Sequence, residues 1–255
     1  MPSLSLNAKR KLAANLFVLV VLGAWALASV RLPGYVLPSP RTVLYQTIDF
    51  ITTRKLAVQI LASVFHVAAA LILAFLAGTA IAVTGHYLKV TQLLIGRITS
   101  FLNSFSSIGW ALLAILWFGL NDLSVILVIG IIILPVFIIN MQAALDQVDR
   151  ELLEMARSYT RRWRRGFVMI VLPSLYPFML ASTRLAFGIA WKVALTAELF
   201  GGNSGFGFVV NIARQSINTP QIFAVIAIMI VISSVADRVV FVPLQRLLTK
   251  HYADV

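Results

Sequence analysis

Six long apolar runs, at residues 12–30, 56–84, 98–120, 123–145, 172–200 and 222–242, alternate with short polar connections along the chain. A helix needs roughly 20 mainly apolar residues to cross the hydrocarbon of a bilayer, so each run predicts one membrane span. The first run follows Lys9, Arg10 and Lys11, as in a signal peptide. It is long for such a segment and lacks a convincing small-residue cleavage site, so it reads as a retained first span. In the connection 31–55, Pro33, Pro38 and Pro40 break helix early, and the mixed polar stretch from Thr42 onward suits the membrane interface. The expected fold class is all-α, a polytopic membrane protein with about six transmembrane helices.

Composition agrees and narrows the picture. The 255 residues are 60% hydrophobic and 12% charged, with a mean hydropathy of +0.93. A soluble domain carries about twice that share of charge. Six spans use nearly the whole chain, so a single transmembrane domain, 1–255, is expected. With no cysteine and three histidines, His66, His86 and His251, neither a disulfide framework nor a metal cluster is predicted. The net charge of +12 is topological rather than a nucleic-acid footprint, because the basic residues sit in the connections. One side collects Lys9, Arg10, Lys11, Lys89, Arg97, Arg150, Arg157, Arg161, Arg162, Arg164, Arg165, Arg238, Arg246 and Lys250. The other holds Arg31, Arg41, Arg54, Lys55 and Arg214. The positive-inside rule then predicts both termini in the cytoplasm.

Two local patterns stand out. Ala70, Ala74, Gly78 and Ala82 recur every four residues in the second run, which predicts a helix stripe that another backbone approaches closely. In the polar connection 146–165, Leu145, Val148, Leu152, Met155 and Tyr159 repeat at helical steps and predict an amphipathic helix. Its acids, Asp146, Asp149, Glu151 and Glu154, come first, and its arginines, Arg157, Arg161, Arg162, Arg164 and Arg165, come last. That order suits the helix dipole. From the residues alone, a helix lying on the membrane and a helix docked in a partner's groove stand equal.

Glu154-Met155-Ala156, three residues, Thr160, nine residues and Ile170-Val171-Leu172-Pro173 resemble the E-A-A-x3-G-x9-I-x-L-P loop of bacterial ABC importer permeases. Leu37-Pro38-Ser39-Pro40, Trp117-Phe118-Gly119, Val148-Asp149 and Gly188-Ile189-Ala190-Trp191 followed by Ala197-Glu198 resemble the nitrate, sulfonate and taurine branch. The resemblance covers nearly the full length and implies a type I importer-like fold, in which the loop is a cytoplasmic coupling helix seated in a separate ATPase. Asp149, Glu151, Glu154, Ala156, Arg157, Thr160 and Pro173 are the coupling residues it implies. Thr160 replaces the family's usual glycine, His66 stands where the branch usually has an arginine, and Ser106 and Ser107 replace prolines before Trp110.

Arg184, Lys192 and Glu198 fall in the fifth run, where an unpaired charge costs roughly 2.5 to 3.5 kcal/mol even on insertion scales. Arg184 and Lys192 lie about 80° apart around a helix, and Lys192 and Glu198 about 120° apart, so their partners are expected elsewhere. The functional reading is a positive translocation pathway for an anion, with Glu198 near its outer mouth. The plainer one has Arg184 and Glu198 reaching opposite headgroup layers. His66 reads as a helix-to-helix hydrogen-bonding residue rather than a proton relay, and Trp110 and Trp191 join the pathway candidates through their family context. The glycines of 201–207 predict a flexible outer loop or a plain turn.

No phosphate-binding loop, H-E-x-x-H or G-x-S-x-G occurs, so the chain is expected to be no enzyme and to take its energy from a partner. The expected function is the permease subunit of an ABC importer in the bacterial inner membrane, passing a small anionic solute such as a sulfonate, nitrate or carboxylate. The expected partners are a second copy, two cytoplasmic ATPase subunits that bind ATP and Mg, an extracytoplasmic substrate-binding protein and the lipid bilayer, with no nucleic acid and no cofactor in this chain. The rivals are a permease of the same fold for amino acids, thiamine precursors or other heterocyclic or aromatic solutes, a proton-coupled secondary transporter, and a non-transporting scaffold.

Overall fold

The computed structural model describes residues 6–52, 54–147 and 172–245, and every regular element among them is helical. In chain order these are α1 (Leu6–Arg31), α2 (Pro40–Thr52), α3 (Arg54–Tyr87), α4 (Lys89–Ser104), α5 (Ser107–Phe118), α6 (Asp122–Asp146), α7 (Leu172–Gly201), α8 (Phe206–Gln215) and α9 (Thr219–Ala236), the last running on through a π-helical turn, Asp237–Phe241. Among the described residues four stretches are long and apolar enough to cross a membrane, Leu56–His86, Asp122–Asp146, Leu175–Gly201 and Thr219–Gln245, whereas Asn15–Arg31 of the first predicted span is apolar but shorter. The amphipathic connection 146–165, with Asp149, Glu151, Glu154, Ala156, Arg157 and Thr160, lies outside the described residues apart from its first two positions. Pro173 falls in the first turn of α7.

The third predicted span departs from expectation. The apolar run 98–120 is not one helix but two, with Gln92–Ser104 and Ser107–Phe118 meeting at 96°. Phe105 (φ −89°, ψ 137°) and Ser106 (φ −67°, ψ 143°) are extended and interrupt the hydrogen-bond ladder without any proline. Packing holds the corner. Phe105 folds back against Trp110, ring centroids 5.0 Å apart, and a Cβ on Gly109 would stand 2.6 Å from the Phe105 ring. A side chain there would push the ring out and open the angle.

Helix α6 is the hub, packed along α3 on one side and α7 on the other. Its Val125, Ile129, Ile133, Phe137 and Met141 are fully buried. The small-residue stripe of α3 is the face that meets α6: Ala70, Ala74 and Ala82 are buried, and a Cβ on Gly78 would fall 2.6 Å from Phe137 Cβ. Helix α7 repeats the device with Ala186, Ala190, Ala194 and Ala197, all buried. Close backbone approach replaces the hydrophobic drive that helices lack in lipid.

The connection after α1 is built as its sequence suggests. Pro40 opens α2, and Ser39 Oγ accepts from the Thr42 N–H at 3.2 Å, an N-cap that satisfies an end donor. Helix α2 then lies against α9. Trp25 of α1 donates its indole N–H to Pro38 O at 3.1 Å and stacks on Phe223 of α9.

Candidate functional site

At the end of the bundle where α6 begins and α7 ends, a carboxylate is buried. Glu198 is 1% exposed and His66 is fully buried. Glu198 Oε1 accepts from His66 Nδ1 at 2.9 Å, while Oε2 accepts from Ser63 Oγ and from the Gly207 N–H, each at 2.9 Å. Ser63 Oγ in turn accepts from the Phe206 N–H at 2.9 Å, and Gln59 Oε1 from the Gly205 N–H. The other ring nitrogen, His66 Nε2, lies 3.3 Å from Asp122 Oδ1 at the start of α6, and Ser204 Oγ donates to the same oxygen at 3.2 Å.

Gln59, Ser63 and His66 recur along one face of α3, so one helix supplies three polar groups in a column. The loop after α7 closes over them. Gly205 has φ +95°, a conformation open to glycine at little cost, and a Cβ there would collide with the Glu198 carboxyl group. The glycine-rich segment 201–207 is thus a fitted cover, its Gly207 N–H bonding the buried carboxylate and its Gly205 and Phe206 N–H groups bonding Gln59 and Ser63 beside it. It is not the open flexible loop that its composition suggests.

The site candidates of the fifth run separate onto two sides of α7. Glu198 and Trp191 face the interior, Trp191 being 4% exposed. Ala181, Leu185, Gly188 and Lys192 are exposed and fall within about 60° of arc, forming a stripe that no described element covers. Arg184 borders it. Its guanidinium grips Asp237 through both oxygens, Nε to Oδ1 at 2.8 Å and Nη2 to Oδ2 at 2.7 Å, and Nη1 donates to Gln245 Oε1 at 2.7 Å. Asp237 opens the π-helical turn of α9, a wider turn that re-aims side chains and is frequent at functional positions. Arg184 therefore has its partner inside the protein and need not reach for headgroups.

Between the exposed stripe of α7 and α9 runs a cleft of about 640 Å³, lined by Phe187, Gly188, Trp191, Lys192, Met229, Ile230, Ser233, Ser234, Asp237 and Arg238 among others. Lys192 has no ion-pair partner among the described residues. Trp110, the remaining candidate, sits in the α4–α5 corner at 9% exposure, and its indole N–H, like that of Trp191, has no acceptor among the described residues. Sequence reasoning missed Ser63, Asp122, Asp237 and Gln245, because each partner lies on a distant span. Among the described residues no cluster of His, Asp and Glu is arranged to hold a metal ion.

Residues 70–249 match the family described as binding-protein-dependent transport system inner membrane component. This chain is an ABC importer permease. The match takes in most of α3 together with α6 and α7, whose packing builds the core, and also α9 and the connection 146–165. Among curated proteins, the chain is 31% identical over 214 residues to the putative aliphatic sulfonates transport permease protein SsuC of Bacillus subtilis, covering 84% of this chain and 77% of that one. It is 27% identical over 143 residues to the taurine transport system permease protein TauC of Escherichia coli, 56% of this chain and 52% of the other. It is also 34% identical over 122 residues to the riboflavin transport system permease protein RibX of Chloroflexus aurantiacus, 48% and 45% of the two chains. The importer permease is thus a multi-pass membrane protein and not an enzyme, and ATP hydrolysis lies in partner subunits of its family.

Proposed function

We propose that this permease carries a small organic anion across the inner membrane, with the exposed stripe of α7 lining the pathway and a second copy of the chain closing it. Lys192 carries the reading. It lies nine residues before Gly201 and seventeen after Leu175, so its Cα sits about 13 Å from one end of the span and about 26 Å from the other. Helical side chains tilt toward the helix N-terminus, which aims the ammonium at the far end and away from the near one. A lysine so placed snorkels poorly to either headgroup layer, and facing hydrocarbon it would cost roughly 2.5 to 3.5 kcal/mol or more. A water-filled pathway between two copies relieves that cost and offers an anion a positive surface. The names of the sulfonate and taurine relatives support the same class.

On this reading both termini and the connection 146–165 face the cytoplasm, where Asp149, Glu151, Glu154, Ala156, Arg157, Thr160 and Pro173 couple the spans to a pair of ATPase subunits that hold ATP and Mg. The loop 202–205 and α8 face outward, toward a substrate-binding protein. The chain acts as a single transmembrane domain with no cofactor of its own. His66, Glu198 and Trp110 shape the pathway from behind rather than touching solute, while Trp191 lines the cleft between α7 and α9.

The test is transport in proteoliposomes holding the permease, its ATPase and its binding protein, loaded with ATP inside. Uptake of a sulfonate or carboxylate that needs ATP and the binding protein is the expected result. Glu154→Arg should abolish coupled uptake while the permease still folds, and intact uptake in that variant would overturn the coupling assignment. A riboflavin-like heterocycle taken up in place of anions would favour the aromatic-solute reading, which Phe187 and Trp191 in the cleft also suit.

A further inference from the structure

We infer that the cleft between α7 and α9 is a solute-binding site within the permease itself, selecting anions that carry an apolar tail. This rests on the reading of α7 as pathway-lining and adds to it a place where solute pauses. The cleft brings together three features. First, its basic groups outnumber its acid: Lys192 and Arg238 line it, and the lining carboxylate, Asp237, is held through both oxygens by Arg184. An anion entering the cleft therefore meets no uncompensated negative charge among the lining residues.

Second, hydrogen-bond capacity is present beside the charge. Ser233 and Ser234 line the cleft from α9. Trp191 adds ring surface to the same lining, its indole N–H being buried away from the cleft. Third, the remaining wall is apolar: Phe187, Leu195, Ile226, Met229 and Ile230. Bare sulfate or nitrate would leave that wall wet, whereas an alkyl or aryl chain would dry it. The head group would sit against Lys192, the residue whose charge has no partner among those described, and the tail along Phe187, Trp191 and Met229. The volume of about 640 Å³ lies in the range of small-molecule pockets.

The experiment uses the permease–ATPase complex in nanodiscs of zwitterionic lipid, without the binding protein, and equilibrium dialysis against radiolabelled butane-, hexane- and octanesulfonate and inorganic sulfate. Affinity should rise about threefold or more per buried methylene, with sulfate weakest. Lys192→Gln, which removes the charge and leaves a slightly shorter polar side chain, should weaken hexanesulfonate about tenfold, as expected for loss of a charge-assisted hydrogen bond. Met229→Ala should flatten the chain-length series and leave sulfate unchanged. Binding that ignores chain length, or that Lys192→Gln leaves intact, would overturn the inference. So would hexanesulfonate binding abolished by anionic lipid in the disc, which would make the cleft a lipid site. Transport of the same sulfonates in proteoliposomes, measured in parallel, separates the two levels. Uptake without cleft binding sinks this inference alone, while no uptake of any anion sinks the pathway reading beneath it.

Discussion

Replacing Glu198 by alanine removes an acceptor on which three buried donors converge: His66 Nδ1, Ser63 Oγ and the Gly207 N–H, each 2.9 Å away. Ser63 and His66 are at most 1% exposed, so water reaches them with difficulty. Each orphaned donor costs about 1–3 kcal/mol. Three of them, partly relieved by the rotating serine hydroxyl, give an expected loss of about 4 kcal/mol, in the range measured when one member of a buried charged pair is deleted. Glu198→Gln should lose much less, about 1–2 kcal/mol, because the amide oxygen can keep the Ser63 and Gly207 bonds while its nitrogen turns to His66. A protein of this size shifts its midpoint about 2–4 °C per kcal/mol, so Glu198→Ala should melt about 8–16 °C lower in detergent and Glu198→Gln about 2–8 °C lower. Adding His66→Ala to Glu198→Ala should cost less than the sum of the singles by more than about 1 kcal/mol, since the two share one network. A Glu198→Ala midpoint within 2 °C of the parent, or strict additivity with His66→Ala, would refute the claim that this carboxylate holds α3, α7 and the covering loop together.

Other sites give sharp expectations. Gly78→Val should destabilise by about 1–3 kcal/mol, because even the first added carbon would stand 2.6 Å from Phe137 Cβ; thermal unfolding checks it, and Ala77→Val on the exposed side is the control. Reversing the Arg184–Asp237 pair tests whether it is structural: Arg184→Asp and Asp237→Arg should each lower folded yield in membranes, and the double exchange should recover most of it. A double variant no better than either single would mean that the position of the charge, and not the pairing, matters.

Much of this architecture is legible in the sequence because membrane spans advertise themselves by local composition. The four-residue beat of Ala70, Ala74, Gly78 and Ala82 marks the seam before any partner is known, and α6 proves to be what lies against it. The α4–α5 corner is different. The run 98–120 is apolar throughout and has no proline, and its break depends on Phe105 packing over Gly109 and Trp110, a shape that hydropathy does not record. The charged groups were legible as anomalies but not as pairs. An exposed stripe and a buried one on α7 can be told apart by period alone, yet His66 and Glu198 are separated by 132 positions and Arg184 and Asp237 by 53, and no periodicity links such distances. The glycines of 201–207 signalled freedom of backbone, and the fold uses that freedom to bring the Gly207 N–H onto a carboxylate and the Gly205 and Phe206 N–H groups onto Gln59 and Ser63.

The chain positions of the buried Glu198 network and of the partly exposed Arg184–Asp237 pair bear on how the protein is made. When Glu198 leaves the ribosome, Ser63 and His66 have long preceded it, so the carboxylate meets these two partners on arrival, and the Gly207 N–H follows nine residues later. Arg184 has no such host. Its partner Asp237 follows 53 residues later, a lag of about 3–10 s at ordinary rates of synthesis. During that interval α7 carries an unmatched guanidinium, and arrival of the last span discharges it. Final seating of α7 should therefore wait on α9, and a chain truncated after α8 should leave Arg184 open to quality control.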